Sequence, residues 1–175
     1  MKKLLTIYIK AIANQTMKGD STENSYYGFV KELFTEVGKL QGRKVDVTVN
    51  PKSTDAGNPD FRVWDGEYFI IGYIEAKLPG DLDNHRHQEQ FDRYTSTFPN
   101  VILSDFYQFR LYQDGQQVDS ALIARQFTAR MKQIPNLENQ PDFERLIERF
   151  FEYKLPKSFT AEQLAIQLAK RTRYL

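Results

Sequence analysis

Two short charged motifs in the first half of the chain carry residue types suited to hydrolytic chemistry. Asp60 begins one strand-like run, and Glu75, Ala76 and Lys77 end the next run. Residues two apart on a strand point to the same face, so Glu75 and Lys77 share a face at the end of an uncharged stretch, residues 68–74. Such charges are costly to bury unless they are paired or bind a cation. The alternative is a strand end that emerges into solvent with a surface ion pair.

The distance between Asp60 and Glu75 depends on the hairpin that joins the two runs. If the Asp-Gly pair at 65–66 forms a two-residue turn, Asp60 lies opposite Ile71, and Glu75 lies roughly 13 Å further along. If the loop is longer, or if a bulge adds residues, Asp60 lies opposite Glu75. Both registers place Asp60 on the face of Glu75 and Lys77. Only the second brings the two carboxylates within reach of one cation, and the sequence leaves the register open.

In the second register the residues form an all-oxygen site. The carboxylates of Asp60 and Glu75 and the main-chain carbonyl of Ala76 are ligands that hard cations prefer, so the expected cation is Mg²⁺, for which Mn²⁺ can substitute. Such a cation stabilises charge on a phosphate group and lowers the pKa of water. Lys77 beside it could orient that water or neutralise charge on phosphorus. These residue types suit hydrolysis of a phosphodiester.

The motif spacing resembles that of the PD-(D/E)XK nucleases. Pro59-Asp60 is followed by fourteen residues and then by Glu75-Ala76-Lys77. Further along, Gln90 and Tyr94 form a Gln-x-x-x-Tyr that resembles the additional motif of the RecB-like branch of this family. Four residues apart, they share a helix face. The resemblance implies that this face borders the metal site and the DNA backbone; the alternative is a solvated glutamine and a packed tyrosine.

The family often adds a glutamate from the helix that precedes the strands. Glu23, Glu32 and Glu36 are the candidates, and Asp20 with Glu23 is also a helix capping-box pattern. Glu23 is preferred because its surroundings resemble the amino-terminal nuclease domain of single-chain restriction–modification enzymes. The segments that carry this likeness are 21–27, 72–77, 94–103 and 109–112.

The resemblance implies a Mg²⁺-dependent endodeoxyribonuclease that acts on double-stranded DNA. Asp60, Glu75, Lys77, Glu23 and Gln90 would be its catalytic residues.

Substrate contacts are expected from Tyr94, Lys52 and Arg62, although the two basic residues are alternatively surface charges. In the parent protein an adenine methyltransferase and a target-recognition domain would be covalently linked, and transient self-association would allow double-strand cutting. The chain lacks an Asn-Pro-Pro-Tyr motif, so it is either an excised domain or a stand-alone relative. Two alternatives are a repair or recombination nuclease of the same superfamily and a non-catalytic DNA- or protein-docking module.

The elements that must position these residues are a mixture of helices and strands. Apolar spacing predicts helices over 3–17, from 20 to 38 or 42, and over 84–96, with strands over 44–49, 60–64, 68–77, 101–104 and 106–112. The expected fold is α/β: a restriction-endonuclease-like core over 1–135 with a central mixed β-sheet flanked by helices. Residues 136–175 are expected to form C-terminal helices, with apolar faces at 143–151 and 161–169.

Composition narrows the functional classes. The 175 residues include 24 Lys and Arg, 23 Asp and Glu, and no cysteine, which excludes disulfides and cysteine-based zinc sites. A net charge of +1 predicts weak DNA binding by the chain alone, or basic residues gathered on one face. Lys10 interrupts the apolar run near the start, so a signal peptide is not expected. No apolar run is long enough to span a bilayer, and a cytoplasmic protein is expected.

Overall fold

The computed structural model describes residues 1–127, 132–154 and 169. The helices are α1 (Lys2–Met17), α2 (Tyr27–Leu40), α3 (Gln88–Thr97) and α4 (Gln140–Glu152), with 3-10 turns at Glu23–Tyr26 and His85–His87. The strands are β1 (Asp46–Val49), β2 (Phe61–Trp64), β3 (Ile70–Ala76), β4 (Asn100–Ser104), β5 (Gln108–Gln113) and β6 (Gln116–Leu122). The predicted α/β class is confirmed. Within the described ranges, no helix has both the length and the apolar character needed to cross a membrane.

The six strands form one mixed sheet in the order in which they occur along the chain. Every neighbouring pair is antiparallel except β3 and β4, which are parallel. A parallel pair needs a crossover, and α3 supplies it between β3 and β4. β3 therefore lies inside the sheet, as its continuous apolar run predicted.

Apolar side chains gather into one cluster on each face of the sheet, because successive strand residues point to opposite faces. The larger cluster joins the sheet to α1, α2 and α4, and it includes Phe34, Phe61, Ile74 and Phe150. The smaller cluster packs α3 on the other face. Its members are Ala56, Tyr73, Leu82, Phe91, Tyr94, Phe98, Val101 and Leu103.

The predicted apolar face at 143–151 is the buried face of α4. The first part of the predicted C-terminal extension therefore packs on the larger core. The division of the chain at residue 135 stays a prediction. Apart from Ala169, the predicted face at 161–169 lies outside the described residues.

The sequence prediction missed β6. This strand, Gln-Gln-Val-Asp-Ser-Ala-Leu, buries only Ala121, so it has no clear apolar alternation. It forms one edge of the sheet and is held to α4 by Arg145, whose guanidinium lies 2.8 Å from the Asp119 carboxylate. An edge strand needs little apolar surface because one side of it faces water.

The hairpin between β2 and β3 contains a β-bulge. Phe61 pairs with Ile74, but Trp64 pairs with Ile70, so Ile71 is one residue more than the partner strand supplies. The connecting loop is also longer than a two-residue turn, since the main chain of residue 65 bonds to that of residue 69. The hairpin therefore has the second of the two registers that the sequence left open.

A buried amide and a glycine hold the bulge in place. Asn100 is fully buried, and its Nδ2 donates to the carbonyl oxygens of Ile71 and Phe150, both at 2.9 Å. Its Oδ1 accepts from Gln113 at 3.2 Å. A Cβ atom at Gly72 would lie only 2.4 Å from the main-chain oxygen of Asn100. β3 can therefore lie this close to β4 and α4 only because residue 72 is a glycine.

The loop at the tip of this hairpin is organised by one carboxylate. Asp65 Oδ1 accepts from the main-chain N–H groups of Glu67, Tyr68 and Phe69 at 2.9 to 3.1 Å. The side chains of Tyr68 and Phe69 remain 84% and 61% exposed. The tip is thus an ordered turn that presents two aromatic rings to solvent.

Candidate active site

The register of the hairpin brings Asp60 to the carboxyl end of β3. Phe61 pairs with Ile74 in antiparallel fashion, so the preceding residue, Asp60, lies opposite Glu75. The Oδ2 atom of Asp60 accepts a hydrogen bond of 2.7 Å from the main-chain N–H of Ala76. Asp60 and Glu75 therefore meet at one end of the sheet.

Glu75 and Lys77 form a buried ion pair. Glu75 is 1% exposed and Lys77 is 5% exposed, so the pair does not lie in solvent as the alternative interpretation supposed. Glu75 Oε1 accepts from Lys77 Nζ at 2.6 Å and from Gln90 Nε2 at 2.8 Å. Glu75 Oε2 is buried and has no hydrogen-bond partner among the residues that the structure describes. One oxygen of this carboxylate is therefore fully engaged, and the other is available to a ligand.

Burial, together with the negative charge of Asp60, raises the pKa of Glu75 to about 8 against the opposing effect of Lys77. Burial by itself would lower the pKa of Lys77, but the Glu75 carboxylate outweighs that effect, and the pKa is raised. Lys77 is therefore protonated at neutral pH and acts as a donor. Without a metal, the raised pKa favours the protonated form of the Glu75 carboxyl. A bound cation would instead favour the ionised carboxylate, because its positive charge would balance the negative charges of Asp60 and Glu75.

Helix α3 forms one wall of the site. Gln90 and Tyr94 share a helix face, as predicted from their spacing, and Gln90 Nε2 lies 3.3 Å from the Tyr94 hydroxyl. Gln90 also binds Glu75, so it is not simply a solvated side chain. Arg93 donates to the carbonyl of Ala56 at 2.6 Å, which joins α3 to the loop that precedes Asp60.

Glu23 lies on the amino-terminal side of the site. It opens a 3-10 turn, and α2 begins only at residue 27, later than the sequence predicted. The capping contact of this turn joins the N–H of Thr22 to Ser25 Oγ at 3.1 Å, so the alternative interpretation of Asp20 and Glu23 as a capping box is wrong. The charge of Glu23 contributes to the raised pKa of Glu75, which indicates that Glu23 faces the site.

The other two candidate glutamates are placed differently. Glu32 is exposed and lines a small groove between α1 and α2. Glu36 forms an exposed ion pair with Lys39 at 2.6 Å. Neither is among the main causes of the raised pKa of Glu75. Among the three, Glu23 is the one that the fold directs toward the paired carboxylates.

Sequence reasoning missed Tyr27, the first residue of α2. Its hydroxyl donates to Asp60 Oδ1. Burial and this hydrogen bond raise the pKa of Tyr27 well above its usual value, so the phenol stays neutral. Two signals were available: Tyr27 ends the segment 21–27 that carries the likeness to nuclease domains, and it lies four residues after Glu23, a spacing that places two side chains on one face of a helix.

The two basic residues predicted to contact DNA differ in exposure. Lys52 is exposed. Arg62 is 7% exposed, and its guanidinium lies 5.7 Å from the ring centroid of Trp64 and 5.8 Å from that of Tyr73. The surface-charge alternative is therefore wrong for Arg62, which lies on the sheet face that carries Asp60 and Glu75. Contact of either residue with DNA stays a prediction.

The donor set at this end of the sheet fits a hard divalent cation. The two carboxylates and the carbonyl of Ala76 supply oxygen, and the unpartnered Oε2 of Glu75 is a buried acceptor that a cation would satisfy. In the described part of the chain, no group of three or more His, Cys, Asp or Glu side chains is placed to hold a metal. Mg²⁺ commonly takes only one or two carboxylates and completes its shell with water and phosphate oxygens, so two suffice.

Comparison with known proteins supports the fold. No protein-family model matches the sequence, and no curated protein matches it. The structure is similar to one chain of a DrdV–DNA complex solved by cryo-electron microscopy, with a TM-score of 0.64 and 20% sequence identity. The match covers 89% of this chain and 14% of that chain, so this chain spans only a small part of the protein it resembles. At this identity the likeness shows the fold alone, a mixed sheet with flanking helices compatible with a restriction-endonuclease-like fold.

Proposed function

We propose that this chain is a metal-dependent endodeoxyribonuclease module that hydrolyses phosphodiester bonds in double-stranded DNA. The observation that supports this most strongly is the buried Oε2 of Glu75, which belongs to a carboxylate beside Asp60 and Lys77 and has no hydrogen-bond partner in the described part of the chain. A buried carboxylate oxygen without a partner is costly unless a ligand satisfies it. The DNA in the complex of the structurally similar protein supports the choice of substrate.

The cation would be Mg²⁺, held by Asp60, Glu75 and the carbonyl of Ala76; Mn²⁺ could substitute. When bound, it supplies positive charge that stabilises the phosphate group during attack and makes water more acidic. Lys77 is protonated and held by Glu75, so it offers hydrogen bonds to the attacking water or to a phosphate oxygen. Gln90 fixes the Glu75 carboxylate from α3. Water adds to phosphorus, one phosphorus–oxygen bond of the backbone breaks, and the products are a phosphate monoester and a hydroxyl.

We further propose that the module belongs to a longer restriction–modification protein. The similar chain is about seven times longer than the region that it shares with this one. The balanced charge of the present chain agrees with sequence recognition and most of the DNA affinity residing in other domains, such as a linked methyltransferase and a target-recognition domain. Transient pairing of two modules would then serve double-strand cutting. A repair or recombination nuclease would share the same chemistry and differ in substrate.

A non-catalytic docking module is the second candidate. It is favoured by the finding that, within the residues that the structure describes, no third acidic or histidine side chain is placed to hold a metal together with the two carboxylates. In that case the raised pKa of Glu75 would simply keep the buried carboxyl neutral. The two candidates differ in whether a divalent cation binds at Asp60 and Glu75.

Cleavage of plasmid DNA with Mg²⁺ or Mn²⁺ tests the proposal. The parent should cut weakly and without sequence preference, and Asp60→Asn, Glu75→Gln and Lys77→Met should each lose the activity while keeping the parent circular dichroism spectrum. Lys39→Met is the matched control, because Lys39 is exposed and pairs only with its helix neighbour Glu36. If Lys77→Met cuts as well as the parent, the catalytic assignment is wrong. If calorimetry detects no Mn²⁺ binding that depends on Asp60, the docking module is the better account.

A further inference from the structure

The hydroxyl of Tyr27 donates to Asp60, although the sequence patterns assigned Tyr27 no role. We propose that Tyr27 is a positioning residue: it orients the Asp60 carboxylate so that a divalent cation can bind between Asp60 and Glu75. This role rests on the proposed function, because it concerns the same cation. It extends the candidate site to α2, which lies 33 positions before Asp60 in the chain.

Tyr27 completes a two-sided hold on Asp60. The main-chain N–H of Ala76 donates to Oδ2 at 2.7 Å, and the Tyr27 hydroxyl donates to Oδ1. A carboxylate that is bound at one oxygen can still swing about its last torsion, whereas donors at both oxygens fix its plane. Each oxygen has two lone pairs, so each keeps one for a cation after accepting its hydrogen bond.

The ring of Tyr27 is itself anchored. It is buried and packs against Phe61 with the ring centroids 4.7 Å apart. Phe61 directly follows Asp60, so the ring and the hydroxyl of Tyr27 hold two consecutive residues of the chain. The hydroxyl therefore occupies a fixed point at the beginning of α2 rather than the end of a mobile side chain.

The neighbouring carboxylate is held on the same principle. Lys77 and Gln90 both donate to Oε1 of Glu75, and the other oxygen is left without a partner. At both Asp60 and Glu75, therefore, protein donors fix the orientation of the carboxylate and leave oxygen lone pairs that can bind a cation. Outer partners of this kind typically contribute about ten- to a hundredfold to metal affinity, because they remove the need to order the ligand when the metal binds.

Calorimetric titration of the whole chain with Mn²⁺ tests this role. Tyr27→Phe keeps the ring against Phe61 and removes only the hydroxyl, so the dissociation constant should rise about tenfold or more. The matched control is Tyr26→Phe. The Tyr26 hydroxyl lies 3.2 Å from the Thr16 hydroxyl, and its ring stacks on Phe106, so it touches neither acid. The control should bind Mn²⁺ as the parent does.

The melting temperature separates positioning from stability. Saturating Mn²⁺ should raise the melting temperature of the parent and of Tyr26→Phe by the same amount, since a ligand that binds only the folded state stabilises it. At the same Mn²⁺ concentration, Tyr27→Phe should show a smaller rise, even if its metal-free melting temperature has changed. The rise in melting temperature compares each variant with its own metal-free form, so it reports on metal binding even when a variant is less stable than the parent.

The outcomes distinguish the two proposals. If the parent binds Mn²⁺ and Tyr27→Phe binds it equally well, the positioning role is overturned and the proposed function stands. If Tyr27→Phe and Tyr26→Phe lose affinity by the same factor, the loss reflects general loosening of the helix, and the positioning role is again overturned. If the parent itself binds no Mn²⁺, the nuclease proposal fails, and the role of Tyr27 fails with it. A loss of affinity confined to Tyr27→Phe supports the role.

Discussion

Metal binding at the paired carboxylates should release a proton at neutral pH. The pKa of Glu75 in the metal-free protein is raised to about 8, mainly by burial, so the carboxyl is largely protonated at pH 7. A cation must displace that proton, because only the carboxylate is a ligand. With the pKa raised in this way, Glu75 should release most of one proton per bound ion at pH 7 and clearly less at pH 8.5. Below pH 8 the Mn²⁺ affinity should therefore rise about tenfold for each unit of pH, and above it the affinity should level off.

The number of protons released per bound Mn²⁺ can be measured by calorimetry in two buffers that have different enthalpies of ionisation and do not bind Mn²⁺. The difference in heat between the buffers gives the protons released at each pH. Glu36→Gln is the control, since Glu36 lies in an exposed pair on α2 and should leave the proton count unchanged. Mn²⁺ binding without proton release at pH 7, or with equal release at both pH values, would show that Glu75 is already ionised before the metal arrives. Burial would then not hold the pKa of Glu75 above 7.

Three further predictions concern the scaffold, and urea unfolding measures each of them. Asn100→Ala should lower the free energy of unfolding by about 3 kcal/mol, because three hydrogen bonds are lost and two buried carbonyls lose a donor. The control Asn136→Ala changes an exposed residue and should have little effect, and equal losses would refute the role of the Asn100 hydrogen bonds. Gly72→Ala should cost about 2 kcal/mol or more, since its Cβ would overlap a main-chain oxygen 2.4 Å away, and a neutral result would mean that the strands can separate there. Asp119→Ala should cost about 1–2 kcal/mol at pH 7 by removing one of the two carboxylates that bind Arg145, the other being Asp142. The hydrogen bond from Arg145 lowers the pKa of Asp119, so that contribution is present above the usual carboxyl pKa and should vanish as the pH falls through the lowered value; a loss that persists in strong acid would contradict it.

Local patterns predicted most of the fold because most elements carry their own signal. The run Tyr-Phe-Ile-Ile-Gly-Tyr-Ile is apolar on both faces and became the interior strand β3. The helical spacing of Phe143, Leu146 and Phe150 became the buried face of α4. β6 escaped prediction because an edge strand tied by Asp119 and an arginine of α4 needs almost no apolar alternation.

The geometry of the site depends on contacts that no local pattern encodes. The register follows from an extra residue at Ile71, and the partner that satisfies its carbonyl, Asn100, is 29 positions away. The hydroxyl that reaches Asp60 comes from a helix 33 positions earlier. Arg62 is buried between aromatic rings, although an arginine in the sequence is usually expected to be exposed. The motif predicted that Asp60 and Glu75 belong to the site, and tertiary packing brings them together.

The bulged hairpin separates the length of the loop from the alignment of the acids. The pairing that sets Asp60 against Glu75 lies on the sheet side of Ile71, whereas the turn at 65–69 lies beyond it. Extra residues grafted into that turn would emerge about 20 Å from the carboxylates, beside the solvent-facing rings of Tyr68 and Phe69. A fluorophore or an affinity handle could therefore be attached there without moving either acid. Deleting Ile71 instead would leave the pairing of Phe61 with Ile74 in place, but it would remove the bulge and the carbonyl oxygen that Asn100 binds.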